Sequence, residues 1–277
     1  MEWGGAKKDI VLLLLSGVSS ACFFPLETAD SVKILSEWHI PNIEIFFNSF
    51  QELKDGYLER LSALCREAGT KVVSIHPFTS NSESLYFFTS YPGRLQDGLM
   101  IYRPFLRAAQ KLGARVLVFH GATLQNRMDI PQSAANLRVL DRVAREEYGV
   151  TVAYENVVRC RGKDPDYFVQ LREYYPELRF VLDVKQALRS GHHPLEYVEK
   201  LGDSIIHVHI SDSSPQQDCL PVGQGEMDTL AFLQHLKQEG FSGAVLQELY
   251  RESYRQQSEV LEGYRRLQRQ IDAVWER

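Results

Sequence analysis

Eight short apolar runs punctuate this chain, and each is followed by a longer amphipathic segment, an alternation that few folds can accommodate. The runs are Ile10 to Leu15, Ile43 to Phe47, Val72 to His76, Val116 to His120, Val150 to Glu155, Phe180 to Asp183, Ile205 to Ile210 and Ala244 to Glu248. All are short, mostly β-branched or aromatic and bounded by turn residues, which predicts buried strands. The spacing between them predicts helices, such as Tyr57 to Ala68 before Gly69 and Leu99 to Leu112 before Gly113, where glycine can take the left-handed conformation that ends a helix. Gly149, Gly202 and Gly240 recur in that role, and Ser253 to Trp275 reads as one long charged helix. The rhythm repeats roughly every 30 residues, the length of a βα unit. Eight such units without a low-complexity linker predict an α/β protein made of one domain over residues 1–277, a closed (β/α)₈ TIM barrel rather than two doubly wound halves. Pro104 is expected to kink or restart its helix. The stretch from His76 to Leu99 exceeds a plain loop and is read as a lid or binding element.

Composition removes several alternatives. With 44% apolar and 24% charged residues the chain can bury a sizeable core, and a net charge of -5 works against a broad phosphate-binding surface. Cys22, Cys65, Cys160 and Cys219 form no C-x-x-C pair and are expected as reduced thiols. Lys7-Lys8, the apolar run after it and the small residues up to Ala21-Cys22 also resemble a signal peptide, but the run is short and is needed as the first strand. No other stretch approaches the roughly 18 apolar residues of a membrane span. A soluble, cytoplasmic protein with no membrane partner is expected, and a homo-oligomer is compatible with the sequence.

The chemistry is expected where the strands end. His76, His120, Glu155, Asp183, His209 and Glu248 each sit at the close of an apolar run or one residue before it, where burial is expected. In a parallel barrel all carboxyl ends of strands point to one face, so six polar side chains from six strands would converge there. Desolvated together, three carboxylates and three imidazoles need a cation, and a divalent metal satisfies them all. Mixed imidazole and carboxylate ligation suits Zn²⁺, Mn²⁺, Co²⁺ or Fe²⁺, with one ion expected and room for a second.

These residues resemble a superfamily, the xylose isomerase-like barrels, which includes sugar isomerases and epimerases as well as endonuclease IV, the apurinic endonuclease (AP endonuclease family 2). The resemblance rests on Ile43-Glu44-Ile45, Val118-Phe119-His120-Gly121, Tyr154-Glu155-Asn156, Val181-Leu182-Asp183, His207-Val208-His209-Ile210-Ser211-Asp212, Gly223-Gln224-Gly225-Glu226 with Asp228, and Gln247-Glu248. In the isomerase and epimerase branch it implies one metal held by Glu155, Asp183, His209 and Glu248. Glu155 and Glu248 would also act as a facing acid/base pair while the metal stabilises a cis-enediolate. Asp212 is then the expected acceptor orienting His209. Lys185, Gln186, Asn156 and Arg251 are the candidate substrate contacts, with Lys185, Arg159 and Arg251 equally readable as solvated loop cations. The endonuclease branch would add His76 and His120 as ligands of a second ion. Its third zinc site departs here, because Gln186 and Cys219 stand where histidines are expected and Asp218 matches its aspartate only loosely.

Three readings follow. The first is a metal-dependent isomerase or epimerase of a small sugar, polyol or related carbohydrate derivative. The second is a metallohydrolase cleaving a phosphoester or glycosidic bond with two ions. The third, a noncatalytic binding protein, has no use for a paired acid and base. No nucleic-acid partner is expected, since the strand-end loops lack interleaved basic and aromatic residues. His192 and His193 are expected on the surface, and His207 as a satisfied histidine inside the barrel.

Overall fold

The structure, a computed structural model, describes residues 14–275. The stretch resembling a signal peptide lies mostly outside them, as do Ile10 to Leu13. Eight parallel strands close into a barrel in which each pairs with the barrel strands before and after it in sequence and the last pairs with the first. These are β1 (Leu15–Ser19), β2 (Asn42–Phe46), β3 (Lys71–His76), β4 (Val116–Phe119), β5 (Thr151–Glu155), β6 (Arg179–Asp183), β7 (Ile205–Ile210) and β10 (Ala244–Gln247). A hairpin that the sequence did not announce, β8 (Asp212–Ser214) with β9 (Gln217–Leu220), rises from the loop after β7. The helices are α1 (Thr28–Glu37), α2 (Asp55–Ala68), α3 (Glu83–Phe87), α4 (Arg94–Leu112), α5 (Ile130–Val143), α6 (Pro165–Tyr174), α7 (Val184–Arg189), α8 (Pro194–Leu201), α9 (Thr229–Gln238) and α10 (Gln257–Trp275). None among the described residues is long and apolar enough to cross a membrane.

Strand periodicity sorts side chains into two cores. Outward residues meet the helices in the main core, where Phe119, Tyr154, Phe168 and Phe180 pack in sequence, the first two contacts edge to face, with ring centroids 5.6, 5.1 and 4.6 Å apart. Each such ring contributes roughly 1.5–3 kcal/mol through burial. Among the inward residues Val118, Ala153 and Val181 form a separate apolar cluster inside the barrel. Two residues farther along β4, β5 and β6 come His120, Glu155 and Asp183. Parity therefore aims these polar ends into the mouth of the barrel.

Three expectations change. The first strand runs from Leu15 to Ser19 rather than ending at Leu15. Its small residues let β1 and β2 close up, and a Cβ on Gly17 would stand 2.1 Å from the Asn42 carbonyl oxygen. The helix around Pro104 is continuous from Arg94 to Leu112. The residue one turn before the proline, Met100, is 70% exposed, so water can replace the missing hydrogen bond. Gly202 does not repeat the left-handed cap of Gly69 and Gly113, since its ψ is -130°. The segment after His76 folds as a short 3₁₀ turn followed by α3, and its Phe78, Ser80 and Asn81 form one wall of the cavity above the barrel.

Candidate metal centre

At the mouth, one donor atom from each of Glu155, Asp183, His209 and Glu248 lies within 4.8 Å of the others, and all four residues are buried. His209 organises the group. Its Nδ1 faces Glu155 Oε1 at 2.7 Å, Glu248 Oε2 at 3.6 Å and Asp183 Oδ2 at 4.0 Å. Its other nitrogen, Nε2, lies 3.1 Å from Glu44 Oε2. Glu44, on β2 and fully buried, also accepts from the hydroxyls of Ser19 (2.9 Å) and Ser74 (2.8 Å). A carboxylate behind an imidazole fixes which nitrogen carries the proton and makes the other a stronger donor. Burial raises the Glu44 carboxyl, and His209 and His207 reverse this to leave it well below the usual carboxylate range.

This assigns to Glu44 the part expected of Asp212. Asp212 instead accepts the backbone N–H groups of Ser213 (2.8 Å), Gly223 (2.7 Å) and Met227 (2.9 Å). The glycine-rich loop wraps that carboxylate, and a Cβ on Gly225 would meet Ser213 O at 2.3 Å and Asp212 Oδ1 at 2.4 Å. His207 is buried one layer below His209, with Nε2 near Ser74 (3.4 Å) and Glu44 (3.5 Å). Its Nδ1 finds no partner, so it is only half satisfied.

His76, His120 and Glu155 form a second group beside the first. His120 Nε2 is 2.8 Å from Glu155 Oε2 and 2.9 Å from His76 Nε2. His76 Nδ1 lies 3.1 Å from the Pro77 carbonyl, to which it donates, and burial lowers the ring while Glu155 more than reverses this to leave it above the usual histidine range. Arg159, read as a loop cation, enters the cavity and donates from Nη2 to His120 Nδ1 at 3.0 Å. Guanidinium only donates, so Nδ1 carries the lone pair and Nε2 carries the proton of the neutral ring. A protonated Nε2 cannot bind a metal. Burial holds His120 down at about 4, which keeps the ring neutral. Burial raises the Glu155 carboxyl, and His120, His209 and His76 more than reverse it, leaving Glu155 well below the usual range.

The four substrate-contact candidates separate. Lys185 is not a solvated loop cation: it is 2% exposed and its ammonium contacts both Asp183 and Glu248. Burial opposes its charge, and Asp183 and Glu248 more than restore it. Gln186 lines the cavity but is engaged at both ends, accepting from Val158 N (3.1 Å) and donating to the Tyr250 hydroxyl (3.3 Å). Asn156 is fully buried and clamps β5 to β6 by exchanging two hydrogen bonds with the Asp183 backbone (2.9 and 2.6 Å), so it serves the frame. Arg251 lies outside the cavity lining, donates to Tyr254 O and lies over the Tyr254 ring at 4.8 Å. Asp218 pairs with Arg189, His193 caps α8 and His192 pairs with Glu196 at 3.0 Å.

The donor set fits a divalent ion. Three carboxylates and one imidazole are desolvated around a common point, and Asp183 turns Oδ2 toward it while Oδ1 accepts the Gln186 N–H (3.0 Å). Above it a cavity of about 360 Å³ is lined by Phe24, Phe46, Phe78 and Tyr250 on its apolar side.

Known proteins share this frame. An uncharacterized protein of Methanocaldococcus jannaschii is 25% identical over 255 residues, covering 86% of this chain and 85% of its own length. One from Mycobacterium tuberculosis is 25% identical over 269 residues, covering 88% and 91%. Among solved structures, a D-tagatose 3-epimerase-like protein superposes with a TM-score of 0.77 at 21% identity, covering 95% of this chain and 99% of that one. An L-ribulose 3-epimerase gives 0.75 at 15% identity (95% and 96%), and an IolI protein with a bound zinc atom gives 0.72 at 21% (95% and 98%). The profile of the xylose isomerase-like TIM barrel matches residues 32–270, most of the chain. With its closed parallel barrel, this chain belongs to the xylose isomerase-like TIM barrel family.

Proposed function

We propose that this protein is a metal-dependent isomerase or epimerase of a small sugar or related polyol derivative that carries a carbonyl beside a hydroxyl-bearing carbon. One observation carries the reading: Glu155 and Glu248, on different strands, are buried together with Asp183 and His209 around one point below a cavity of sugar size. A divalent ion held by these four residues would supply Lewis acidity to the carbonyl and hydroxyl oxygens of the substrate. The protein's own groups do the rest. Glu155, kept ionised by the histidines around it, is suited to take a proton from the carbon next to the carbonyl. Glu248 faces the same space and would return a proton to the neighbouring position or to the opposite face. Phe24, Phe46, Phe78 and Tyr250 cover the apolar side of a sugar and keep bulk water from the exposed carbanion centre. The likeness of the fold to a D-tagatose 3-epimerase-like protein and an L-ribulose 3-epimerase supports this class.

The hydrolase reading needs His76 and His120 as ligands of a second ion, and the hydrogen bond from Arg159 presents His120 as a donor instead. Incubating the manganese-loaded protein with a panel of ketoses in D₂O tests the proposal. The expected result is solvent deuterium at the carbon next to the carbonyl, detected by proton NMR, lost on treatment with chelator and in Glu155→Gln. Absence of exchange across ketohexoses, ketopentoses and inososes, with hydrolysis of a phosphoester in their place, would overturn it.

A further inference from the structure

Lys185 is built into the centre rather than placed beside it. It occupies the first turn of α7 directly after β6 and is 2% exposed. Asp183 caps that helix and Asn156 clamps the Asp183 backbone, so the root of the lysine is fixed. Its ammonium has three N–H groups. Two go to Asp183 Oδ2 and Glu248 Oε2, and the nitrogen lies 5.3 Å from the centroid of the Tyr250 ring, within reach of its face.

Those two oxygens are the ones a metal requires. Asp183 Oδ1 is committed to the Gln186 N–H, so Oδ2 is the oxygen left to ligate, and both Oδ2 and Glu248 Oε2 face His209 Nδ1. An ammonium and a divalent ion therefore make the same demand on the same atoms. The other cation lining the cavity, Arg159, is turned to His120 and Ser80. Glu155 is served by His120 and His209, whereas without Lys185 the buried carboxylates of Asp183 and Glu248 would face each other in the metal-free protein with His209 Nδ1 at 4.0 and 3.6 Å as their nearest cationic partner, an arrangement that opposes folding.

We propose that Lys185 is the protein's own counter-cation for this centre: its ammonium holds Asp183 and Glu248 in place of a divalent ion and gives way when one binds. The flexible four-carbon stem lets the ammonium swing into the cavity without moving the backbone. Two consequences follow. The metal-free chain keeps its folded centre, and metal affinity is lower than the same four donors would give without the lysine.

The proposal rests on the metal reading above, and calorimetric titration of Mn²⁺ into chelator-stripped wild type and Lys185→Met separates the two. The expected result is binding at least tenfold tighter in Lys185→Met, with a lower Tm for its metal-free form and a larger rise in Tm on adding Mn²⁺. A lysine that only props up the fold would lower Tm without tightening binding. Equal or weaker Mn²⁺ binding by the variant overturns the role of Lys185 and leaves the metal reading standing. No Mn²⁺ binding by either protein overturns both. Should Lys185→Met fail to fold, Lys185→Gln, which keeps a hydrogen-bond donor without the charge, carries the same comparison.

Discussion

Replacing Glu44 separates the residue that orients His209 from the residues that surround it. Glu44 is fully buried, and its Oε2 faces both the Ser74 hydroxyl and His209 Nε2. Glu44→Gln can keep an acceptor toward His209 while losing the charge that strengthens Nδ1 as a ligand. Removing such supporting groups costs about 10–100-fold in metal affinity, and the amide belongs near tenfold, or about 1.4 kcal/mol. Glu44→Ala removes the acceptor altogether and strands the hydroxyls of Ser19 and Ser74, so it belongs near a hundredfold, about 2.7 kcal/mol. It should also lower folding stability by roughly 1–3 kcal/mol for each buried donor left unpaired. Asp212→Asn is the control, because Asp212 serves three backbone N–H groups of the glycine loop. It should reduce stability and leave affinity unchanged. Titration calorimetry with Mn²⁺ gives the affinities, and urea unfolding of the metal-free proteins gives the stabilities. Wild-type affinity in Glu44→Ala, or an equal loss in Asp212→Asn, would refute the assignment of Glu44 as the group that orients His209.

Arg159→Ala frees His120 to present Nε2 as a lone pair, so elemental analysis at millimolar Zn²⁺ should rise from one ion per chain toward two; a count fixed at one would contradict the donor role given to His120. Glu83 is buried beneath the His120-Gly121 turn, and burial pushes its carboxyl from 4.5 up to about 8. A raised carboxyl pKa means that its contribution to stability is complete below 4.5 and is lost as pH rises through about 8. Unfolding free energies from urea titrations should therefore fall between pH 5 and pH 8.5 more steeply in wild type than in Glu83→Gln, by on the order of 2–4 kcal/mol, and parallel profiles would count against it. Gly225→Ala places a Cβ 2.3 Å from the Ser213 carbonyl oxygen and should cost roughly 2 kcal/mol or more by thermal melting; an unchanged Tm would show that the loop relaxes freely.

Much of the frame was legible because its signals are local and repeated. Seven apolar runs fall on barrel strands within a residue or so, and parity within each run carries the polar ends to one mouth. The first strand misled because the apolar run precedes it, while its own residues are small where β1 approaches β2. Glu44 was within reach, since it is a single charge inside the run Ile43-Glu44-Ile45 with inward parity, yet it does not end its strand. Lys185, Asn156 and Arg251 could not be sorted by spacing. Beyond the last ladder residue the chain direction depends on caps and loop contacts, so one residue past β5 turned into the frame and another past β6 turned into the centre. The tautomer of His120 depends on Arg159, which is 39 residues away in sequence and has no pattern linking the two.

Anomalous scattering from crystals grown with Mn²⁺ tests most directly whether four strand ends share one ion. The expected map has a single strong peak with Glu155, Asp183, His209 and Glu248 at ligand distances of about 2.0–2.3 Å and no second peak between His76 and His120. A map without density at that point, or with manganese bound by His76 and His120 and not by Asp183, would contradict it.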